Sequence, residues 1–426
     1  MFPRIHMVSL FDGGSVAAVT CTAPTNIAVV KYWGKRDVAL NLPINSSVSV
    51  TLDQSDLRTV TCVAASASWG ADRLWLNGTE EDVASNRRLV TVFREMRRLA
   101  GEARAGGGGG GGKFSAVPDA DAVRFWVRSH NTFPTAAGLA SSASGYACLT
   151  FALARLLGLE ISDEVSAVAR QGSGSACRSL FGGFVRWRMG SADDGSDSVS
   201  SQVAPAAHWP EMEALIMVAS QAKKHTSSTS GMMTSVETSP LLAHRAAHVV
   251  PERMAQMEQA YLAQDFGTFA ELTMRDSNQF HATCLDTFPP IFYMNDVSRA
   301  VANAVHAINA HYGRTVAAYT FDAGPNAVIY VLREDALDVL SLLMLAFPAS
   351  ESQKSGVVAG SDGYLLSSQA EETGKRVAAG VPAAPPAAVA AMRERSDAGQ
   401  LLQMIHTRVG PGPQVVATEE KWWQEV

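Results

Sequence analysis

Residues Ala17 to Thr25, Val48 to Leu52 and Thr59 to Val63 alternate and are rich in Val and Thr, a period of two that predicts strands of a partly exposed sheet. From Arg87 to Leu99 the apolar residues recur three and four positions apart behind a basic outer face, which predicts a solvated surface helix. Alternation returns from Ala122 to Ser129, and an apolar helix runs to Leu157. Ser162 before Asp163 and Glu164 supplies an N-cap and first turn for the next helix, to about Arg170. Further strands are predicted at Phe184 to Arg188 and Ala214 to Ala219, on either side of a Ser/Asp/Ala-rich boundary at Gly190 to Ala207. Amphipathic helices follow between Glu252 and Cys284 and from Asn295 to His311, the latter stopped by Gly313. Next come a tight pair of strands, Val316 to Phe321 and Ala327 to Leu332, and a core helix around Leu337 to Phe347. Past about Ser352 the pattern weakens, leaving loops and one helix near Ala387 to Arg395. Strands interspersed with helices, without a regular βαβ repeat, predict a two-domain α+β protein divided into residues 1–205 and 206–426.

Composition narrows the function classes. Of 426 residues 47% are hydrophobic and 18% charged, enough apolar material for a large core. The formal net charge of −6 disfavours a general nucleic-acid binder, so any phosphate recognition is local. Five widely spaced cysteines without a C-x-x-C pair predict neither a disulfide framework nor structural zinc, and fit a reducing compartment. With no apolar run long enough to cross a bilayer and no secretory pattern from Met1 to Val16, the expectation is a cytoplasmic protein without membrane insertion. Seven consecutive glycines, Gly106 to Gly112, lack the helix and Lys/Ser context of a phosphate loop and predict a disordered surface insertion over residues 101–118.

Chemistry-bearing residues gather in five segments. Pro134 to Ser144 places Gly138, Leu139, Ala140, Ser141 and Ser142 where a loop enters a helix; unpaired N–H groups and small side chains there let a phosphate approach closely, with the Ser141 hydroxyl available to Mg2+. Gly172 to Arg178 alternates Ser173 and Ser175 with glycine and ends in a guanidinium, a pattern that suits a diphosphate or carboxylate or serves as a flexible turn. Thr22 to Arg36 brings Asn26, Lys31, Tyr32 and Lys35 together as a positive patch on an acidic chain. Lys223 to Met232 places Ser228 among hydroxyls and cations. Tyr319 to Asn326 holds Asp322 at a strand end before a Gly-Pro turn, where it either starts the turn or serves as a rigidly held base. Neither a Walker motif nor G-x-G-x-x-G is present, and the ten histidines show no metal-ligand spacing.

In this order the segments resemble the mevalonate diphosphate decarboxylase family of the GHMP kinase superfamily. The resemblance rests on Ala23-Pro-Thr-Asn-Ile-Ala, Lys31-Tyr-Trp-Gly-Lys, Leu42-Pro-Ile-Asn-Ser-Ser, Phe133-Pro-Thr-Ala-Ala-Gly-Leu-Ala-Ser-Ser-Ala, Gly172-Ser-Gly-Ser-Ala-Cys-Arg, Asp276-Ser-Asn, Phe280-His-Ala-Thr-Cys-Leu-Asp, Phe288-Pro-Pro-Ile-Phe-Tyr-Met-Asn and Tyr319-Thr-Phe-Asp-Ala-Gly-Pro-Asn-Ala. It implies a two-lobed GHMP-kinase-like fold, with mixed and antiparallel sheets covered by helices and the active site in the cleft between lobes. It also implies the ATP- and Mg2+-dependent conversion of mevalonate 5-diphosphate to isopentenyl diphosphate, a step of isoprenoid and sterol biosynthesis, by phosphorylation of the 3-hydroxyl and loss of phosphate and CO2. The alternative within the superfamily is a kinase or decarboxylase acting on a related mevalonate phosphate. By resemblance, Asp322 orients and deprotonates the 3-hydroxyl, Lys31 helps position the charges, and Asn26 orients the lysine or the substrate. Arg178 meets the carboxylate or phosphates, Tyr32, Lys35, Ser173 and Ser175 the diphosphate, and Ser228 a phosphate from the second lobe. Gly138, Leu139, Ala140, Ser141 and Ser142 hold ATP, Ser141 with Mg2+. A homodimer is implied as well.

Overall fold

The computed structural model describes residues 7–8, 16–105, 122–133, 141–222, 224–353, 357–358, 364–367, 371, 373–375, 387–395 and 397–417. Gly138, Leu139, Ala140 and the glycine run Gly106 to Gly112 lie outside them. The first half of the chain forms β1 (Met7–Val8), β2 (Val16–Pro24), β3 (Asn26–Val30), β4 (Lys35–Asp37), β5 (Leu42–Pro43), β6 (Ser47–Thr51), β7 (Arg58–Ser66), β8 (Arg73–Leu76), β9 (Thr79–Glu81), α1 (Arg87–Ala105), β10 (Arg124–Asn131), α2 (Ser141–Leu157), α3 (Asp163–Gly172), α4 (Ala176–Ser179), β11 (Phe184–Trp187) and β12 (Ser200–Ala204). The second forms β13 (Met212–Val218), α5 (Ser228–Thr238), α6 (Pro240–His244), a π-helical turn (Arg245–Val249), α7 (Val250–Ala263), α8 (Phe266–Asp286), α9 (Asp296–Tyr312), β14 (Ala317–Phe321), β15 (Ala327–Leu332), α10 (Arg333–Ala346), β16 (Val357–Val358), β17 (Leu365–Ser367), α11 (Ala387–Arg395), β18 (Gln403–Arg408) and β19 (Gln414–Val416).

Local signals explain several of these boundaries. The Ser162 side chain accepts from the Val165 N–H at the start of α3, with Asp163 and Glu164 in the first turn. At α9 the Asn295 and Ser298 side chains form a reciprocal capping box, and Gly313 ends the helix at φ 61°.

Among the described residues three larger sheets and a two-stranded one, β4-β5, arrange these elements. The first runs β1-β2-β7-β10-β8-β9, antiparallel except for the β10–β8 pair, and β19 also pairs with β2. Helices α1, α2 and α3 cover one face through Val92, Phe93, Phe125, Phe151 and Leu153, and Trp69, Trp75 and Trp126 cluster with Val16 and Ala18 on the other. The second sheet, β12-β11-β6-β3, buries Val48, Val50 and Phe184 against Tyr261 of α7, Phe269 of α8, and Met212, Ile216 and Tyr330 of the third sheet. The third, β14-β15-β13-β18-β17-β16, packs its opposite face on α9, α10 and α11. A sheet built from the first half of the sequence thus shares its core with the second half, which fixes the two sides of the cleft relative to each other.

Two sequence expectations need correction. Gly101 to Ala105 belong to α1 rather than to a disordered insertion, and Glu102 returns an ion pair to Arg98 four residues back. The weakly patterned tail supplies β18, an interior strand of the third sheet. Its burial, with His406 and Thr407 both enclosed, comes from neighbours on both sides rather than from alternation in its own residues.

Candidate active site

A cavity of about 380 Å3 lies where the ends of β3 and β14 meet the starts of α1, α2 and α5. Its wall includes Asn26, Lys31, Tyr32, Lys35, Ser141, Ser142, Ser173, Ser175, Arg178, Ser228 and Asp322, so every site residue expected from sequence that the structure describes reaches one place.

Lys31 follows the fully buried strand β3, and its ammonium donates to Asp322 Oδ1 at 2.5 Å and to the Ala28 carbonyl at 2.6 Å. Asp322 follows β14 and keeps 30% of its side chain exposed towards the cavity, whereas Lys31 keeps 3%. The Lys31 N–H donates to Asp276 Oδ1 at 2.7 Å, and its carbonyl accepts from Asn45 at 3.0 Å.

Arg178, on α4, donates to Ser47 Oγ at 2.6 Å and to Asn26 Oδ1 at 3.2 Å. The Asn26 amide donates onward to Ser179 Oγ at 2.7 Å and to the Ser175 carbonyl at 3.1 Å. Asn26 therefore orients Arg178 and the serine turn and also lines the cavity, where the resemblance gives it the lysine or the substrate to orient, while the hydrogen bond to the Lys31 carbonyl comes from Asn45. The distinction follows from the strand: Asn26 and Lys31 stand at opposite ends of β3.

Tyr32 packs edge-on against Trp187, with 4.7 Å between centroids, and its hydroxyl is buried without a hydrogen-bond partner. Burial pushes that phenol's pKa up, so it stays a donor. Gly34, at φ 91°, turns the chain between Tyr32 and Lys35, whose ammonium donates to Asn41 Oδ1 at 2.6 Å. Burial, and then Arg88, bring the Lys35 pKa down to about 8. Ser141 and Ser142 open the 17-residue helix α2, so its positive end faces the cavity, and Ser142 Oγ stands 3.4 Å from Ser173 Oγ. Lys224 donates to Ser228 Oγ at 2.8 Å, with its pKa lowered chiefly by burial.

Two cations of the wall carried no expected role. Arg88, on the first turn of α1, reaches across the cleft to Thr229 Oγ1 at 3.1 Å. It stands in the helix whose basic face reads as solvated, and nothing in its spacing separates it from its neighbours. Lys224 stood in a flagged polar segment without a role. Among the described residues the wall therefore carries five cations, Lys31, Lys35, Arg88, Arg178 and Lys224, and one carboxylate, Asp322. On a chain of net charge −6 this is a site for a multiply charged anion. His281 of α8 is kept neutral: burial first, then the Lys31 ammonium, bring its pKa down to about 4.

No group of three or more His, Cys, Asp or Glu side chains among the described residues could hold a metal ion. The donor set is instead hydroxyls beside a helix start. That set fits Mg2+, which takes oxygen ligands, keeps several waters and commonly reaches a protein through phosphates.

Comparisons with known proteins agree with this geometry. Residues 23–200 match the diphosphomevalonate decarboxylase-like N-terminal domain, and residues 214–416 match the mevalonate 5-diphosphate decarboxylase C-terminal domain. The chain is 52% identical to the diphosphomevalonate decarboxylase of Rattus norvegicus over 93% of each. Its fold is similar to that of mevalonate diphosphate decarboxylase from Trypanosoma brucei, with TM-score 0.82, 36% identity, and coverage of 95% of this chain and 99% of the other. It is also similar to the complex of MDDEF with MVAPP, AMPPCP and magnesium, with TM-score 0.68, 28% identity, and coverage of 95% and 100%. Two matching domains in order and a cation-lined cleft with a single carboxylate lead to one conclusion: the chain belongs to the diphosphomevalonate decarboxylase family.

Proposed function

We propose that this cleft carries out the ATP-dependent decarboxylation of mevalonate 5-diphosphate to isopentenyl diphosphate, with Asp322 as the group that takes the 3-hydroxyl proton. The observation that carries the reading is the Lys31–Asp322 pair at 2.5 Å, held in a wall whose other charged groups among the described residues are all cations. A β-hydroxy acid has no ready place for the electrons released with CO2, and hydroxide is a poor leaving group. Phosphorylating the tertiary hydroxyl meets both needs: the C–C bond electrons form the alkene as the phosphate leaves with the C–O electrons.

A carboxylate is far too weak a base to ionise a tertiary alcohol beforehand, so proton transfer accompanies phosphoryl transfer. Positioning and electrostatics then supply most of the rate. Lys31 holds Asp322 in place. Arg178, fixed by Ser47 and Asn26, faces the substrate's carboxylate or phosphates, and Tyr32, Lys35, Ser173 and Ser175 receive the diphosphate. Ser141, Ser142 and the α2 start would hold the nucleotide phosphates, with the Ser141 hydroxyl available to Mg2+. Bound there, Mg2+ would neutralise phosphate charge. Arg88, Lys224 and Ser228 reach the transferred phosphate from the two sides of the cleft. A second cavity of about 280 Å3 shares Ser141 and Ser142 and continues to Leu74, Leu89, Tyr146 and Leu149, an apolar slot suited to the purine base.

The reading includes a division into lobes near residue 205 and a cytoplasmic homodimer. Five free, buried cysteines support the reducing compartment. No helix among the described residues is long and apolar enough to cross a membrane.

Asp322→Asn is expected to bind substrate near normally and to lose at least ~100-fold in turnover. Parallel measurement of ADP, phosphate and CO2 checks it. Wild-type protein should release the three in equal amounts; ADP without CO2 would make the protein a kinase, and normal turnover of Asp322→Asn would remove Asp322 from the chemistry.

A further inference from the structure

Lys31 and Asp322 must meet, yet they stand at the ends of strands in different sheets: β3 in the second, and β14 at the edge of the third. No ladder of backbone hydrogen bonds links those two strands, so strand register cannot set their separation. The link runs through α8. Asp276 accepts the Lys31 N–H at 2.7 Å, and the next residue, Ser277, accepts the Phe321 N–H at 3.0 Å, one peptide before Asp322. Both side chains are fully buried. Arg245, also fully buried, donates from Nη2 to Asp276 Oδ1 at 2.9 Å and to the Lys31 carbonyl at 3.2 Å, so the Lys31 residue is held at both its N–H and its carbonyl. Arg253 donates to the other carboxylate oxygen at 2.8 Å, and Gln279 accepts from both arginines. Asp276 thus keeps its charge inside the protein by pairing with two cations; on balance they bring its pKa below the usual carboxylate range, against the larger, opposing push of burial. Arg245 opens the π-helical turn, a departure from α geometry of the kind that concentrates at functional sites.

We propose that Asp276 and Ser277 are positioning residues for the phosphoryl-transfer and decarboxylation chemistry: consecutive residues of one helix set the Lys31 ammonium against the Asp322 carboxylate. They touch neither substrate. They act by fixing the backbone N–H groups of Lys31 and of Phe321, the residue before Asp322, and so the placement of the paired side chains. Loss of either bond widens the distribution of Lys31–Asp322 separations without changing the anion-binding wall, and a small misplacement of reacting groups costs far more in rate than in affinity.

Ser277→Ala tests this, because it removes one acceptor without adding charge or bulk. The expected result is a kcat lower by about tenfold, with KM for ATP and for mevalonate 5-diphosphate within about twofold of wild type. Ser277→Cys keeps the volume and a weak acceptor, and should fall between Ser277→Ala and wild type. Cys284→Ala, two turns along the same buried helix face and bonded to neither peptide, is the control for general loosening of α8. The proposal is overturned if either Ser277 variant turns over at the wild-type rate, if KM rises in step with the loss of kcat, or if Cys284→Ala at matched thermal stability loses as much kcat. The inference rests on Asp322 as the proton acceptor. A normal rate in Asp322→Asn would remove that reading, whereas a normal rate in Ser277→Ala beside an inactive Asp322→Asn removes only the positioning role.

Discussion

Lys35 illustrates how a cleft crowded with cations awaits its anion. Its ammonium is partly desolvated and faces Arg88, which together bring its pKa to about 8, so the free enzyme gives up that charge on moving from pH 7 to pH 9. The charged form is the one that holds a diphosphate. KM for mevalonate 5-diphosphate should therefore rise with pH above 8, by up to about tenfold at pH 9, and a KM–pH profile should show Lys35→Arg flat over the same range. An identical rise in Lys35→Arg would assign the titration to another group. The same crowding explains what was legible at this scale. Lys31 and Lys35 stood out in the sequence as a patch of cations on an acidic chain, Arg178 as a guanidinium after alternating serines and glycines, and Asp322 as a carboxylate at a strand end before a Gly-Pro turn. Arg88 did not, since an arginine on an arginine-rich helix face looks like its solvated neighbours until the fold turns that first helical turn towards the cleft. Asn45 and Ser47 stood in a string that carried the resemblance but received no role, for a related reason: small polar residues gain a role here from what the fold lays against them.

Helices with their own punctuation were legible as elements. The starts of α3 and α9 are set by side chains within three residues of the backbone groups that they satisfy, so the sequence contains the whole interaction. β18 and β19 contain no such local information. β18 lies between β13 and β17, and β19 is short and half exposed, pairing with a strand nearly four hundred residues earlier. What guides this last segment back is a close backbone crossing. A Cβ on Gly182 would lie 2.4 Å from the Gly412 nitrogen and 2.7 Å from the Pro411 carbonyl carbon, and backbone cannot yield as a side chain can. Gly182→Ala is expected to destabilise the protein by ~1–3 kcal/mol. Its effect should be local, with faster hydrogen exchange at residues 410–417 and in β2. Unchanged protection there would mean that the crossing does not hold the strand.

At the scale of the whole molecule, stability depends on acidity through groups that the fold keeps neutral. His281 has a folded pKa of about 4 against about 6.5 in an unfolded chain, so between those values the unfolded state binds the extra proton. The stabilising contribution is complete above pH 6.5 and is lost as the pH falls towards 4. Between pH 7 and pH 5 the loss is about 2 kcal/mol, and denaturant unfolding at the two pH values should show it in wild type and lack it in His281→Asn. Equal acid sensitivity in both proteins would clear His281 of the effect.

The expectation of a division near residue 205 rested on a change in pattern along the chain, whereas the shared core between the second sheet and α7 and α8 has no such signal. Pairing across halves leaves no mark in either half alone. The return of β19 to β2 has a consequence in time. During synthesis the first sheet must wait with part of its β2 edge open while about four hundred further residues are made, because the strand that pairs with that edge lies so far along the chain. A nascent chain stalled before residue 414 therefore presents an unpaired stretch of the β2 edge to its neighbours.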